Sequence, residues 1–293
     1  MFKGSIVALV TPFAGDGVDE AAYKKLVDWQ IKEGTSGIVP CGTTGESPTL
    51  SEKEHERTIE FCVQVVGHRV PVIAGTGSNS TAEAVHMTKH AARVGADAVL
   101  VVTPYYNKPT NKGLYLHFKA VADSVKIPLI LYNIAGRTGR NIEPEVMAKL
   151  ARDCKNIVGV KDASGSLDQM LRIREMCPKD FVLLSGDDAL TLPVLSIGGS
   201  GVISVAANIV PRDVAAVIDA FDKGDLKKAR EIHLKLMPLI RALFIETNPI
   251  PVKKAAEMLG LCNGALRLPL CDMEEVHLAK LREALVNYGL LKK

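Results

Sequence analysis

The feature that most constrains this chain is an alternation. Eight short apolar runs rich in β-branched residues, at 5–12, 37–42, 71–77, 98–104, 128–134, 157–163, 181–187 and 201–207, are separated by stretches with helical patterning. Runs this apolar suit strands buried on both faces, and the alternation is that of βα units around a parallel sheet. Eight units without a low-complexity break predict a closed (β/α)8 TIM barrel of the α/β class, since an open doubly wound sheet more often uses five or six strands. Helix starts are marked locally: Ser51 with Glu54 and Ser80 with Glu83 fit the capping-box pattern, in which two side chains satisfy two orphan backbone donors. Beyond the eighth run, three helical stretches are expected at 211–239, 251–259 and 273–287. Residues 1–223 are assigned to the barrel and 224–293 to a C-terminal helical region.

Composition excludes several classes of partner. The net charge is +3 over 293 residues and the basic residues form no stripe or tail, so no nucleic acid is expected. No segment reaches the roughly 20 apolar residues of a membrane span, and the first apolar run lacks a cleavage site, so it reads as a strand and not a signal peptide. Six cysteines without CxxC pairs read as reduced thiols in a cytoplasmic protein.

In a barrel of this kind the reacting groups sit at the C-terminal ends of strands, which directs attention to polar residues that end apolar runs. Strand alternation puts Ile157, Gly159 and Lys161 on one face and Val158, Val160 and Asp162 on the other. If the lysine face is the inner one, the absent side chain of Gly159 leaves room below the amine. An amine attacks only in its neutral form, which apolar surroundings favour. The strand alone leaves open a lysine that merely snorkels at a strand end. Tyr132, on the face of Ile130, can bring a phenol to that lysine and exchange protons with a forming imine, or can be a core tyrosine tied to backbone. Gly42-Thr43-Thr44-Gly45 offers backbone N–H groups and hydroxyls to a carboxylate, with Glu46 as a loop anchor.

These residues carry a resemblance. Residues 37–47 (GIVPCGTTGES) with Glu54, then Tyr132-Asn133-Ile134 followed by Gly159-Val160-Lys161-Asp162-Ala163, resemble the two signatures of the dihydrodipicolinate synthase and N-acetylneuraminate lyase family. The likeness runs from Gly4-Ser5-Ile6-Val7 through Ser185-Gly186-Asp187-Asp188 to Asn248-Pro249-Ile250-Pro251-Val252-Lys253. It implies that Lys161 forms a Schiff base with pyruvate. Tyr132 would relay protons through Thr43 to Tyr106 of a neighbouring subunit, and Thr44, Gly186 and Ile203 would line the pyruvate pocket. The GTTGE run and Arg137-Thr138-Gly139 resemble the branch of the family that condenses pyruvate with aspartate 4-semialdehyde in lysine and diaminopimelate biosynthesis. Sialic acid lyases usually carry GSTGE and lack the arginine, whose guanidinium can hold the semialdehyde carboxylate. The resemblance implies no metal or organic cofactor. It implies a homotetramer, and L-lysine as a possible inhibitor at Ser47, His55, Asn79, Glu83 and Tyr105, with Glu52 where some sensitive relatives have histidine. One departure is Ala135, where the family usually has proline, so the loop to Arg137 lacks a fixed φ and is expected to be more mobile.

Rival readings are weaker. The glycine cluster at 198–201 precedes the eighth run, at the rim opposite a phosphate site, and reads as a tight helix-to-strand turn. His86 and His90 share a helical face but lack the glutamate of a zinc protease motif, and read as surface histidines. Another pyruvate aldolase, such as a sialic or keto-sugar acid lyase, would not need Arg137. A non-catalytic ligand-binding barrel would not need Lys161 and Tyr132.

Overall fold

In the computed structural model, which describes residues 2–292, the eight runs form eight parallel strands. They are β1 Gly4–Ala8, β2 Gly37–Val39, β3 Ile73–Gly75, β4 Ala98–Val102, β5 Leu129–Asn133, β6 Ile157–Asp162, β7 Val182–Ser185 and β8 Gly201–Ser204. Each pairs with its sequence neighbour or, for β1 and β8, across the ends of the set. The Ile38–Val72 bridge joins β2 to β3 and closes the barrel. Most strands are shorter than the apolar runs because each run continues past the ladder into the loop at the barrel mouth. A short hairpin, Phe13–Ala14 against Gly17–Val18, follows β1 and was not expected from the sequence.

Two apolar layers account for the composition. Ile6, Ala8, Val39, Ile73, Leu100, Ile130, Leu184 and Ile203 fill the barrel interior. The opposite strand faces pack on the surrounding helices α1 Glu20–Lys32, α2 Glu52–Val66, α3 Thr81–Arg93, α4 Asn111–Asp123, α5 Pro144–Asp153, α6 Leu167–Met176, α7 Thr191–Ser196 and α8 Pro211–Asp222. Filling both faces of every strand is what near-continuous Val, Ile and Leu runs achieve.

Several local expectations need correction. Ser51 and Glu54 form both halves of the capping box at α2. At α3 only half forms: Ser80 accepts from the Glu83 N–H, but the Glu83 carboxylate takes the Ser78 hydroxyl at 2.7 Å instead of turning back to Ser80. The stretch 211–239 is two helices, α8 and α9 (Leu226–Leu243), because Gly224 at φ +78° breaks the chain between them. With α10 Ile250–Met258 and α11 Glu275–Tyr288, α9 shares one hydrophobic core with β1 and α1, in which Val7 and Leu26 cluster with Leu236, Leu243, Val252 and Leu281. Strict alternation also fails in β6. Leu129 pairs with Ile157 but Ile130 with Gly159, so Val158 is an extra residue in a bulge. Ile157 therefore faces the helices together with Val160, while Val158 packs towards the interior, as does the stripe that ends on Lys161.

The 198–201 cluster is a tight turn as expected. Gly198 and Gly201 have positive φ, and a Cβ at Gly201 would lie 2.1 Å from the Gly4 carbonyl oxygen. Among the described residues no helix is long and apolar enough to cross a membrane. All six cysteines are free and four are buried.

Candidate active site

The mouth of the barrel brings together residues from six strand ends. Tyr132 and Lys161 are next to last in β5 and β6 and are direct cross-strand partners. Both side chains are 5 % exposed, and the Lys161 Nζ lies 4.1 Å from the centroid of the Tyr132 ring. Thr103, just past β4, donates both its N–H (2.9 Å) and its hydroxyl (3.0 Å) to the Tyr132 carbonyl, which fixes the tyrosine backbone from its other side.

Outside the barrel wall, the residues that follow this pair in sequence are stitched together. The buried Asp162 carboxylate accepts from Asn133 (3.0 Å) and Gln169 (2.9 Å), and from the N–H of Ser164 at 2.9 Å. Asn133 and Asp162 thereby hold the two strand ends in the register that pairs Tyr132 with Lys161.

The glycine that makes room for the amine is Gly186 rather than Gly159. A Cβ at Gly159 would meet the backbone oxygen of Val182 at 2.6 Å, so that glycine lets β6 and β7 approach. A Cβ at Gly186 would lie 3.0 Å from Lys161 Cε and 2.7 Å from Ala163 Cβ, so only glycine leaves the lysine stem its place. Ile203 is fully buried in the same interior layer.

Beyond β2 the chain turns through Gly42-Thr43-Thr44-Gly45-Glu46. The N–H of Gly45 donates to the Gly42 carbonyl and that of Glu46 to the Thr43 carbonyl, each at 3.1 Å. Among the described residues the N–H groups of Thr43 and Thr44 have no partner. Two adjacent free donors at a strand end make a concavity suited to a carboxylate. Glu46 anchors the loop, as its position suggested: it is buried and ion-paired to Lys253 at 2.5 Å.

Arg137 sits on a one-turn helix, Ala135–Thr138, closed by bonds from the N–H groups of Arg137 and Thr138 to the Ile134 carbonyl at 3.0 and 3.1 Å. Ala135 occupies the first helical position, where proline is also accepted, so the turn forms here without the ring. The Arg137 guanidinium donates to the Asn248 carbonyl at 2.8 Å. Asn248 was missed as a site residue. Its Nδ2 donates to Thr44 Oγ1 at 3.0 Å, so it touches both the carboxylate turn and the arginine. The contact spans 204 residues, and no local pattern announces it.

A cavity of about 510 Å³ has Thr43 and Arg137 on its wall, together with Ser47, His55, Glu83, Tyr105 and Glu52. Ser47, His55, Glu83 and Tyr105 of the candidate effector residues therefore share a wall with Thr43 and Arg137, while Lys161 and Tyr132 are not on it. Asn79 does not line it, and its carbonyl accepts from Asn107. The His55 ring is committed to the Gly75 carbonyl at 2.7 Å, and burial lowers its pKa. Tyr106 is 89 % exposed, with its backbone in the left-handed region at φ +71°. His86 is a surface histidine whose Nε2 lies 3.0 Å from a carboxylate oxygen of both Glu52 and Glu56. His90 is not, being nine-tenths buried and bonded to the Glu56 carbonyl.

An enclosed lysine against a tyrosine at the C-terminal rim of a (β/α)8 barrel defines a class of protein, barrels equipped for amine chemistry at that rim. The model described as the dihydrodipicolinate synthetase family matches residues 1–287, and the chain belongs to that family. A 4-hydroxy-tetrahydrodipicolinate synthase from Endomicrobium trichonymphae is 61% identical over 292 residues, covering 100% of each chain. The crystal structure of dihydrodipicolinate synthase from Aquifex aeolicus matches with a TM-score of 0.98 at 53% identity over 100% of both chains. That of the synthase from Cyanidioschyzon merolae with lysine bound matches with a TM-score of 0.96 at 45% identity over 99% of each.

Proposed function

We propose that the protein acts as a 4-hydroxy-tetrahydrodipicolinate synthase, a lyase of the aldolase type that condenses pyruvate with L-aspartate 4-semialdehyde in lysine and diaminopimelate biosynthesis. The observation that carries the mechanism is the cross-strand contact of Lys161 with Tyr132. The Lys161 amine adds to the pyruvate carbonyl, and the carbinolamine loses water as the Tyr132 phenol supplies a proton and later recovers one. The imine acidifies the methyl group. Loss of a methyl proton gives an enamine whose carbon attacks the aldehyde, and the substrate's own amine then displaces Lys161 and closes the ring.

The remaining roles follow from chemistry and position. The N–H groups of Thr43 and Thr44 receive the pyruvate carboxylate, while Gly186 and Ile203 shape the space around the imine. Arg137 holds the semialdehyde carboxylate. Thr43 passes protons from Tyr132 towards the partner subunit's Tyr106; the exposure of Tyr106 supports a contact made between subunits, and the resemblance to the family extends that contact to a homotetramer. L-lysine inhibits through Ser47, His55, Glu83 and Tyr105 on the cavity wall, with Asn79 off that wall, a reading supported by the lysine-bound relative and by the acidic groups Glu52 and Glu83. The reaction is placed in the cytoplasm, in keeping with six free cysteines.

A substrate panel tests the assignment. With pyruvate present, aspartate 4-semialdehyde is consumed and a sialic acid is not cleaved. Turnover of the sialic acid without the semialdehyde contradicts the assignment.

A further inference from the structure

The turn that carries Thr43 and Thr44 is bracketed by two residues in the left-handed region of backbone space, Cys41 at φ 52° and Glu46 at φ 54°, neither of them glycine. Side-chain-bearing residues persist there only where their surroundings hold them. At Glu46 the holding group is visible. One carboxylate oxygen lies 2.5 Å from Lys253 Nζ and the other accepts from the Arg267 N–H at 3.2 Å. Both side chains of the pair are 0 % exposed. The ammonium also donates to the carbonyls of Thr11 at 2.8 Å and Ala265 at 2.5 Å, and it stands 4.2 Å from the centre of the Phe13 ring.

A fully buried ion pair is a poor way to gain stability, because desolvating the charges offsets their attraction and an apolar pair of similar volume does as well or better. Its use here coincides with long-range contacts from three residues of one stretch of chain onto one turn and its immediate continuation. Asn248 holds Thr44 Oγ1, Lys253 holds Glu46, and Arg267 donates to Glu46 and to the Thr49 carbonyl just beyond it. We infer that the Glu46–Lys253 pair is a positioning device. From a helix outside the eight βα units it fixes the turn so that the free N–H groups of Thr43 and Thr44 converge on the carboxylate of the bound 2-oxo acid. This rests on the reading of that turn as the pyruvate carboxylate seat.

Two variants test it. Glu46→Gln removes one charge at nearly constant shape, and Glu46→Gln combined with Lys253→Met removes both. The expected result is that at least one variant folds and forms a borohydride-reducible adduct at saturating pyruvate, with the pyruvate KM raised about tenfold or more and the semialdehyde KM within about twofold of wild type. A purely structural pair would move the melting temperature and leave that split unchanged. A pyruvate KM raised less than about tenfold in every variant that folds overturns the inference, as does loss of folding in both, which makes the pair structural. A wild-type protein that forms no pyruvate adduct defeats the underlying reading of the site as well. A wild-type adduct with unshifted KM in the variants defeats this inference alone.

Discussion

The Lys161 amine and the Tyr132 phenol ring are held 4.1 Å apart by a ladder pairing of β5 with β6, so rigid strands rather than a loop set their separation. The contact is reinforced from both sides, by Thr103 on the Tyr132 carbonyl and by Asn133 on Asp162. A site built on strands holds its geometry more closely than one built on loops.

Replacing Tyr132 by Phe keeps the ring and removes only the hydroxyl. The account expects kcat to fall by about 10²–10⁴-fold, the usual contribution of general acid–base catalysis, with the melting temperature little changed. A kcat within threefold of wild type, on the order of 1 kcal/mol or less, would assign proton transfer elsewhere.

Arg137→Ala separates the two substrates. Loss of a charged hydrogen bond of about 1.5–3 kcal/mol lowers kcat/KM for the semialdehyde by roughly ten- to hundredfold. The pyruvate adduct should form as in wild type. Equal damage to both substrates would mean that Arg137 serves the turn, through Asn248, and not the aldehyde.

Gly186→Ala tests the packing around the amine. The new Cβ would sit 3.0 Å from Lys161 Cε and 2.7 Å from Ala163 Cβ, so the lysine stem has to move. Adduct formation with pyruvate slows in a protein that still folds, read as the rate of trapping at fixed pyruvate. An unchanged rate would show that the stem tolerates the displacement.

Stability should fall with acid. Burial holds the His117 imidazole down at about 4, against an ordinary 6.5. Its Nδ1 lies 2.9 Å from the Thr81 hydroxyl and its Nε2 is buried without a partner among the described residues. The unfolded chain therefore binds more protons than the folded one between about pH 4 and 6.5, and the stability present above pH 6.5 is lost as the pH drops through that window. Burial shifts His55 and His233 in the same direction. In melting curves from pH 7 to pH 4, His117→Asn should lose less than wild type over the range. Parallel curves would show that His117 is not responsible.

Much of the fold was legible because barrel strands are apolar on both faces, and eight such runs leave few alternatives. The pairing of Tyr132 with Lys161 was legible from parity near the strand ends. Parity counted from Ile157 was not reliable, since the bulge at Val158 adds a residue that no alternation rule announces. The room beside the amine, expected from Gly159, comes from Gly186, because the role of a glycine depends on which neighbouring strand approaches it, and that is a property of the closed barrel. Asn248 and Lys253 were out of reach as site residues for a related reason. Their contacts with Thr44 and Glu46 cross 204 and 207 positions and exist only once the C-terminal helices pack on the barrel mouth.

The most direct test of the central claim is borohydride reduction of the protein with pyruvate, followed by peptide mass spectrometry. The account predicts one reduced pyruvate per chain on the peptide that contains Lys161, and none in a folded Lys161→Ala protein. A folded wild-type protein without the adduct, or with the label on another lysine, would contradict it.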